Sequence, residues 1–240
     1  LPFSDSTVGA STGAKHIIED GRELSSAEGL YWKYESLIKT SESKINSCVS
    51  SVGEILAMRR DAFIPPKEKI INDDHYIILD LMRRGYRVIY VPEAHSFEYV
   101  SLTAQDEVER RTRMNAGLYQ TMSMSKQLLP FQNPLLVWQV ISHKYIRAIV
   151  PFAFILLFLS NVLISAFYTD DRVLLFQFIL YFQVLFYLLA GLGNFINFNG
   201  VLGKIFYIPV FLVNSNIATL KGFYKFIANQ QLHVWNRVGR

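Results

Sequence analysis

A single cysteine, Cys48, occurs in 240 residues, so no intrachain disulfide and no cysteine metal cluster can form. No glycine-rich phosphate loop and no zinc-binding helix signature is present, which removes P-loop and zincin chemistry. No repeat or low-complexity tract stands out. An excess of one charge is also missing where a nucleic-acid surface would need it. Up to Arg147 there are 18 Lys+Arg against 18 Asp+Glu, and a balanced count provides no basic stripe for a phosphate backbone. No charged-then-apolar leader opens the chain, which begins at Leu1 rather than Met. The sequence therefore reads as a piece of a longer protein.

What is abundant is apolar. Half the chain is hydrophobic (51%) and the mean hydropathy is +0.21, high for a purely soluble domain. Residues 148–169 carry no charge and are long enough to cross a hydrocarbon core of roughly 30 Å. A polar turn, Asp170-Asp171-Arg172, separates them from a second charge-free run over 173–203. A shorter run, 205–220, holds Asn214 and Asn216 and fits a third span, a re-entrant segment or an interfacial helix. From Ala148 onward 6 basic residues face 2 acidic ones, and this excess favours anionic lipid. Lys144 and Arg147 before the first span put the preceding part on the cytoplasmic side. Two spans plus an interfacial segment keep Lys221, Lys225, Arg237 and Arg240 on that side; three spans put them outside.

The part before the spans alternates strand and helix patterns, which implies an α/β domain. A glycine-interrupted strand covers 8–13, and a helix over 25–42 has Leu30, Tyr34, Leu37 and Ile38 at helical spacing. A strand over 52–58 ends at Arg59-Arg60. Asn72 caps the next helix, with Asp73 and Asp74 at its positive end. A strand over 87–91 is stopped by Pro92, and a helix covers 107–120. Residues 128–147, with Trp138, His143, Lys144 and Arg147, suit a helix lying at lipid headgroups. The domain boundaries predicted are 1–127, 128–147 and 148–240.

Chemistry can reside in few places. Two adjacent carboxylates, Asp73 and Asp74, raise one another's proton affinity, so that one can accept a proton; acids in a first helical turn are equally at home as plain stabilisers. Arg110 and Arg113 share a helix face continued by Gly117, and paired guanidinia can clamp a diphosphate. A lipid-facing basic helix, or ion pairing to Glu107 and Glu109, is the plainer account. Glu98 and His95 stand near a strand end, the usual ligand side of an α/β sheet. Tyr31, Trp32 and Tyr34 read as packing residues.

Taken in order, these features resemble the later half of a membrane-bound family-2 glycosyltransferase, the group containing cellulose, chitin and hyaluronan synthases. Val8-Gly9 with Gly13 resembles the segment after that family's metal-binding Asp-x-Asp. Tyr31 to Glu35 with Glu42-Ser43 resembles its next helix, and Gly53 to Ala57 with Arg59-Arg60 its acceptor-side strand. Asn72-Asp73-Asp74 occupies the place of the Thr-Glu-Asp motif, followed in register by Gly85-Tyr86-Arg87. Arg110, Arg111, Arg113, Gly117 and Gln120 lie where the Gln-x-x-Arg-Trp helix belongs, although Arg110 replaces its glutamine and Met114 its tryptophan. His143-Lys144, Arg147 and Pro151 resemble the approach to the spans, and Trp235 with Arg240 a common tail.

The resemblance implies a partial GT-A (nucleotide-diphospho-sugar transferase) domain followed by a transmembrane and interfacial helical region. It implies a hexosyltransferase that transfers sugar with inversion from a nucleotide-sugar to a growing polysaccharide or lipid-linked glycan. Asp74, with Asp73 beside it, would be the catalytic base, and Arg110, Arg113, Glu98 and Gly53 would contact substrate or diphosphate. A divalent metal, Mg or Mn, would be held mainly by residues upstream of Leu1. The expected setting is a multi-pass membrane protein with membrane lipid and glycan partners and no nucleic acid. A non-catalytic membrane scaffold with a degenerate transferase domain is the alternative. A small transporter is disfavoured by spans without ionisable residues.

Overall fold

Small residues dominate the first strand because both of its faces are covered. In the computed structural model, which describes residues 2–66, 69–168, 173–194 and 200–230, β1 (Val8–Ile17) is the centre of a three-stranded sheet. β2 (Leu56–Met58) pairs with it antiparallel and β3 (Arg87–Glu98) parallel. The Asp170-Asp171-Arg172 turn and the Trp235 to Arg240 tail lie outside the described residues.

Two strand expectations need correction. The segment expected as a strand over 52–58 begins as a 3-10 turn, Gly53–Ile55, and only Leu56–Met58 pairs. Pro92 does not stop β3. The register steps from Gly13↔Val91 to Ala14↔His95, so Pro92, Glu93 and Ala94 bulge out and the ladder resumes beyond them. A proline lacks the N–H a ladder needs, and a bulge accommodates that.

α1 (Glu23–Ile45) contains the helix expected over 25–42. Its apolar stripe faces outward, with Leu30 69%, Tyr34 56% and Leu37 70% exposed, whereas Glu28, Glu35, Lys39 and Glu42 are buried. A charged face is tolerated inside because its carboxylates meet cations from other elements. α2 (Asp73–Arg83) builds the core conventionally, burying Ile77, Ile78, Leu79, Leu81 and Met82. α3 (Ala104–Ser123) starts with a capping box, in which Thr103 Oγ1 accepts from Asp106 N–H at 3.0 Å and the Asp106 carboxylate accepts from Thr103.

The approach to the apolar helices is segmented rather than one helix over 128–147. α4 (Ser125–Leu128) is followed by α5 (Pro134–Val140), where Asn133 caps and Pro134 occupies the first turn. A π-turn, Ile141–Tyr145, then runs into α6 (Ile146–Phe167). Leu128, Leu129, Leu136, Val140 and Tyr145 belong to the same core as α2 and Val88, so this segment is part of the α/β body. Trp138, 63% exposed, stands on its outer face.

α6 with its approach, and α7 (Val173–Gly193), are long and apolar enough to cross a membrane by length and composition. They are joined by a buried amide pair, Asn161 Nδ2 donating to Gln183 Oε1 at 2.8 Å. α8 (Gly200–Ile227) is the helix formed by the shorter apolar run. It packs alongside α3 and in the same direction. Phe211 and Ser215 meet Arg111, Gly222 meets Thr112 to Ala116, and Phe223 meets Tyr119. A Cβ on Gly222 would lie 2.8 Å from Thr112 O, so only glycine permits this approach.

Candidate active site

Asn72, expected as the cap of α2, makes no side-chain cap bond. Its amide instead donates to Met114 O at 2.7 Å on α3. Next to it Gly117 leaves the room that Asn72 fills, since a Cβ there would meet Asn72 Cγ at 2.5 Å. One turn further, Gln120 accepts from Ile71 N–H at 3.0 Å and donates to Lys69 O at 2.9 Å. The three positions 114, 117 and 120 thus form one face of α3 that grips the chain just before α2. This grip fixes where the two aspartates point.

Asp73 is exposed and Asp74 half-buried. Asp74 N–H donates to Asp73 Oδ1 at 3.0 Å, and Ser51 Oγ donates to Asp74 Oδ2 at 3.1 Å. Gly53 lies over the Asp74 carboxyl, where an added Cβ would still stand 3.7 Å away. Burial raises the Asp74 pKa above its ordinary 3.8, Asp73 adds to the rise, and the His75 backbone, Lys144 and Ser51 oppose it. That is the environment a proton acceptor needs, with a carboxylate held less acidic than normal. Burial also lowers Arg113, while the charges of Asp73 and Asp74 act the other way. Arg113 therefore lies within electrostatic reach of both acids.

Arg110 and Glu98 sit in a neighbouring cluster. Arg110 grips Glu107 with two bonds, Nε–Oε2 3.0 Å and Nη2–Oε1 2.8 Å. The charge of Arg110 also reaches Glu54, which is raised by burial but held below its usual range by Lys15, by a backbone bond and by Arg110. Lys15, almost fully buried, pairs with Glu54 at 3.1 Å and with Glu98, and lies 5.1 Å over the Trp32 ring. Arg111, which the sequence reading left without a role, is committed elsewhere. It joins Glu28 of α1, Glu107 of α3 and Ser215 of α8, with its guanidinium 4.8 Å from the Phe211 ring.

Three further groups reach the Asp74 region. His75 is buried and among the described residues has no hydrogen-bond partner on either nitrogen, and burial pushes it down to about 3. Lys39 is lowered to about 8 by burial and lies over the Trp32 and Tyr90 rings. Lys144 arrives from the π-turn, and its charge is felt at Asp74 and His75. Only Lys144 had any sequence signal, as a membrane-flanking cation. His95 faces His16, Nδ1 to Nε2 2.9 Å, on the exposed side of the bulge. Gly9-Ala10-Ser11-Thr12-Gly13 spells a nucleophile elbow, but these residues run straight through β1, with Ser11 paired to Ala57 and Ile89. That chemistry needs a strand-to-helix turn.

Among the described residues no three His, Cys, Asp or Glu side chains converge on one point. The groups present do not make a metal site.

Residues 21–194 match the family described as Glycosyl transferase family group 2. A solved structure of the mannosyltransferase PcManGT from Pyrobaculum calidifontis, in complex with GDP-Man and Mn2+, is similar with a TM-score of 0.61 at 16% identity. The likeness covers 95% of this chain and 56% of that one, so the chain spans little more than half of that structure's length. No curated protein matches the chain.

Proposed function

The chain belongs to glycosyl transferase family group 2, and on that premise we propose that it forms the acceptor side of an inverting sugar transfer at a membrane surface. The donor is a nucleotide-sugar, and the acceptor is a growing polysaccharide or a lipid-linked glycan. Asp74 takes the proton of the acceptor hydroxyl as that oxygen bonds to the anomeric carbon. The bond from that carbon to the nucleoside diphosphate breaks on the opposite side. Arg113 meets the charge that develops on the leaving diphosphate. Arg110, held by Glu107, and Glu98, held by Lys15, fix the wall behind it, and Gly53 leaves the space beside the base open for the acceptor.

The observation that carries this reading is Asp74 itself, a half-buried carboxyl with raised proton affinity inside the electrostatic reach of Arg113. Mn2+ accompanies GDP-Man in the mannosyltransferase PcManGT; among the described residues of this chain no three such ligands converge, and no step above is assigned to a metal. Two helices able to cross a bilayer by length and composition support a multi-pass membrane setting, with the α/β body on the cytoplasmic side.

The test uses the intact protein in membranes and follows nucleoside diphosphate release from a panel of GDP- and UDP-sugars. Asp74→Asn is expected to cut turnover about 100-fold or more while nucleotide affinity stays within a factor of about two, the change expected when only a transition-state contact is lost. Turnover at the wild-type rate would remove Asp74 from the role of base.

A further inference from the structure

The exposed half of α1 is not composed like a surface that meets water. Leu30, Tyr34, Leu37 and Ile45 stand out from it, with Ser41 between the last two. Steps of three and four residues keep all five on one face of the helix. Single exposed apolar side chains are ordinary on any protein, whereas a continuous run of them marks a contact surface. The charges divide along the same line. Glu28, Glu35, Lys39 and Glu42 are buried, and among the described residues the charges exposed on α1 are Lys33 and Lys44. The outer side of the helix is therefore apolar with a basic border.

The root of α6 fixes where this side sits. α5, the π-turn and α6 form one unbroken helical run, Pro134–Phe167, so the approach continues the line of the span. Arg147, the last charge before the apolar stretch, holds α1 at three places. Its guanidinium donates to Tyr31 Oη at 3.1 Å, pairs with Glu35 and lies 6.0 Å from the centre of the Tyr34 ring. One turn back, His143 meets Glu35 at 3.0 Å and Glu42 at 2.8 Å. From Tyr31 to Glu42, about 16 Å of α1 is thus held by only about 6 Å of the approach. α1 lies across the root of the span, so it runs along the surface of the membrane that α6 crosses. Its apolar stripe is on the matching flank. With about 100° between successive residues, Ser36 and Ser43 fall on the flank turned to the sheet, where both bond Tyr90. Tyr34, Ser41 and Ile45 fall on the opposite flank, the one Arg147 occupies, and Leu30 and Leu37 continue outward from it. Lys33 and Lys44 come next, at the outer border.

We propose that α1 is a membrane-surface helix. Its stripe of Leu30, Tyr34, Leu37 and Ile45 rests among the headgroups of the bilayer, and Lys33 and Lys44 reach from its border to anionic lipid. Helices with this division of apolar and basic residues lie in the interface plane, and lysine stems follow the apolar surface while the amines stay at the headgroups. This contact rests on α6 crossing the membrane and is independent of the reaction that the α/β body performs.

The experiment puts one reporter at a time on the intact protein in proteoliposomes. Cys48 is buried, so the unsubstituted protein is the labelling blank. Leu30→Cys and Leu37→Cys carry an environment-sensitive fluorophore, and lipids with a nitroxide near the headgroup act as quenchers. Ile149→Cys, in the first turns of α6, sets the value for lipid contact, and Asp61→Cys, in an exposed turn, the value for water. Quenching at 30 and 37 is expected within about twofold of that at 149, as for a helix lying at headgroup depth. It should rise with the share of anionic lipid, and Lys33→Gln with Lys44→Gln should abolish that rise. Quenching no greater than at 61 overturns the proposal. Blue-shifted emission without quenching overturns it as well, because a second copy or another part of the protein then covers the face. A rise with anionic lipid that survives the double lysine change overturns the role given to the lysines. Absence of quenching at 149 removes the span on which the proposal rests, whatever the outcome for sugar transfer.

Discussion

A carboxyl that must accept a proton works only above its own pKa, and in Asp74 burial sets that threshold above 3.8. Turnover is accordingly expected to rise with pH through the raised value, and the acid limb of the pH profile should vanish in Asp74→Asn along with the rate. The sign for stability is the reverse. The neutral form of Asp74 is favoured in the folded protein, so its contribution is fullest below 3.8 and falls as pH rises through the raised value. Glu107 behaves oppositely: burial would raise it, but Arg110 and Arg111 hold it down to about 2. Its stabilisation is present above its ordinary value near 4.5 and is lost as pH falls toward 2, so melting points measured down that window should drop. They should drop less in Glu107→Gln. The acid pair was legible in the sequence because polar punctuation marks the start of α2. The π-turn that carries Lys144 was not legible, since such a turn leaves no mark in residue spacing.

Helices in this chain are held by what they bury, and α1 shows how spacing can mislead. Leu30, Tyr34 and Leu37 follow helical periodicity, but the face turned inward carries Glu28, Glu35, Lys39 and Glu42. Periodicity says which residues share a face; it does not say which face a set of distant cations will claim. Arg111 is the clearest of those cations, meeting Glu28, Glu107 and Ser215 together. Removing one partner from a buried ion pair leaves uncompensated charge and costs about 3–5 kcal/mol. Arg111→Ala is expected to lower the melting temperature sharply in membranes or detergent, whereas Arg113→Ala should weaken transfer with little change in melting. Equal losses of stability in the two variants would contradict the division of labour between these arginines. Close packing decides the other face of α3. Gly117→Val would drive a side chain into Asn72, with an overpacking cost of about 1–3 kcal/mol and a fall in turnover, because the start of α2 would shift. A wild-type melting point and turnover in that variant would show that Asn72 moves aside freely.

Across the whole molecule, the sequence left two arrangements for the last apolar segment, and labelling from the two sides separates them. A helix that runs with α3 from Phe211 to Phe226 fits the arrangement of two spans plus an interfacial segment. We expect Lys225 on the same side as Asp74 and Tyr168, at the end of α6, on the other. A cysteine at 225 should react with a membrane-impermeant maleimide only after the domain side is opened, and a cysteine at 168 from the opposite side. Labelling of both from one side would overturn the hairpin of α6 and α7. The α/β character and the two long apolar helices were readable from composition and charge alone. The bulge at Pro92 was not, because it depends on a pairing partner some eighty residues earlier, and nor was the direction of α8.

The carboxylates of α1 bear on any attempt to separate the lobes. Glu35 and Glu42 meet His143 and Arg147, and Leu136, Val140 and Tyr145 fill the same core as α2. A truncation after residue 127 would strip two acids of their counter-ions and open a hole under α2. The stretch that leads into α6 thus doubles as packing for the α/β body, and each would come apart without the other.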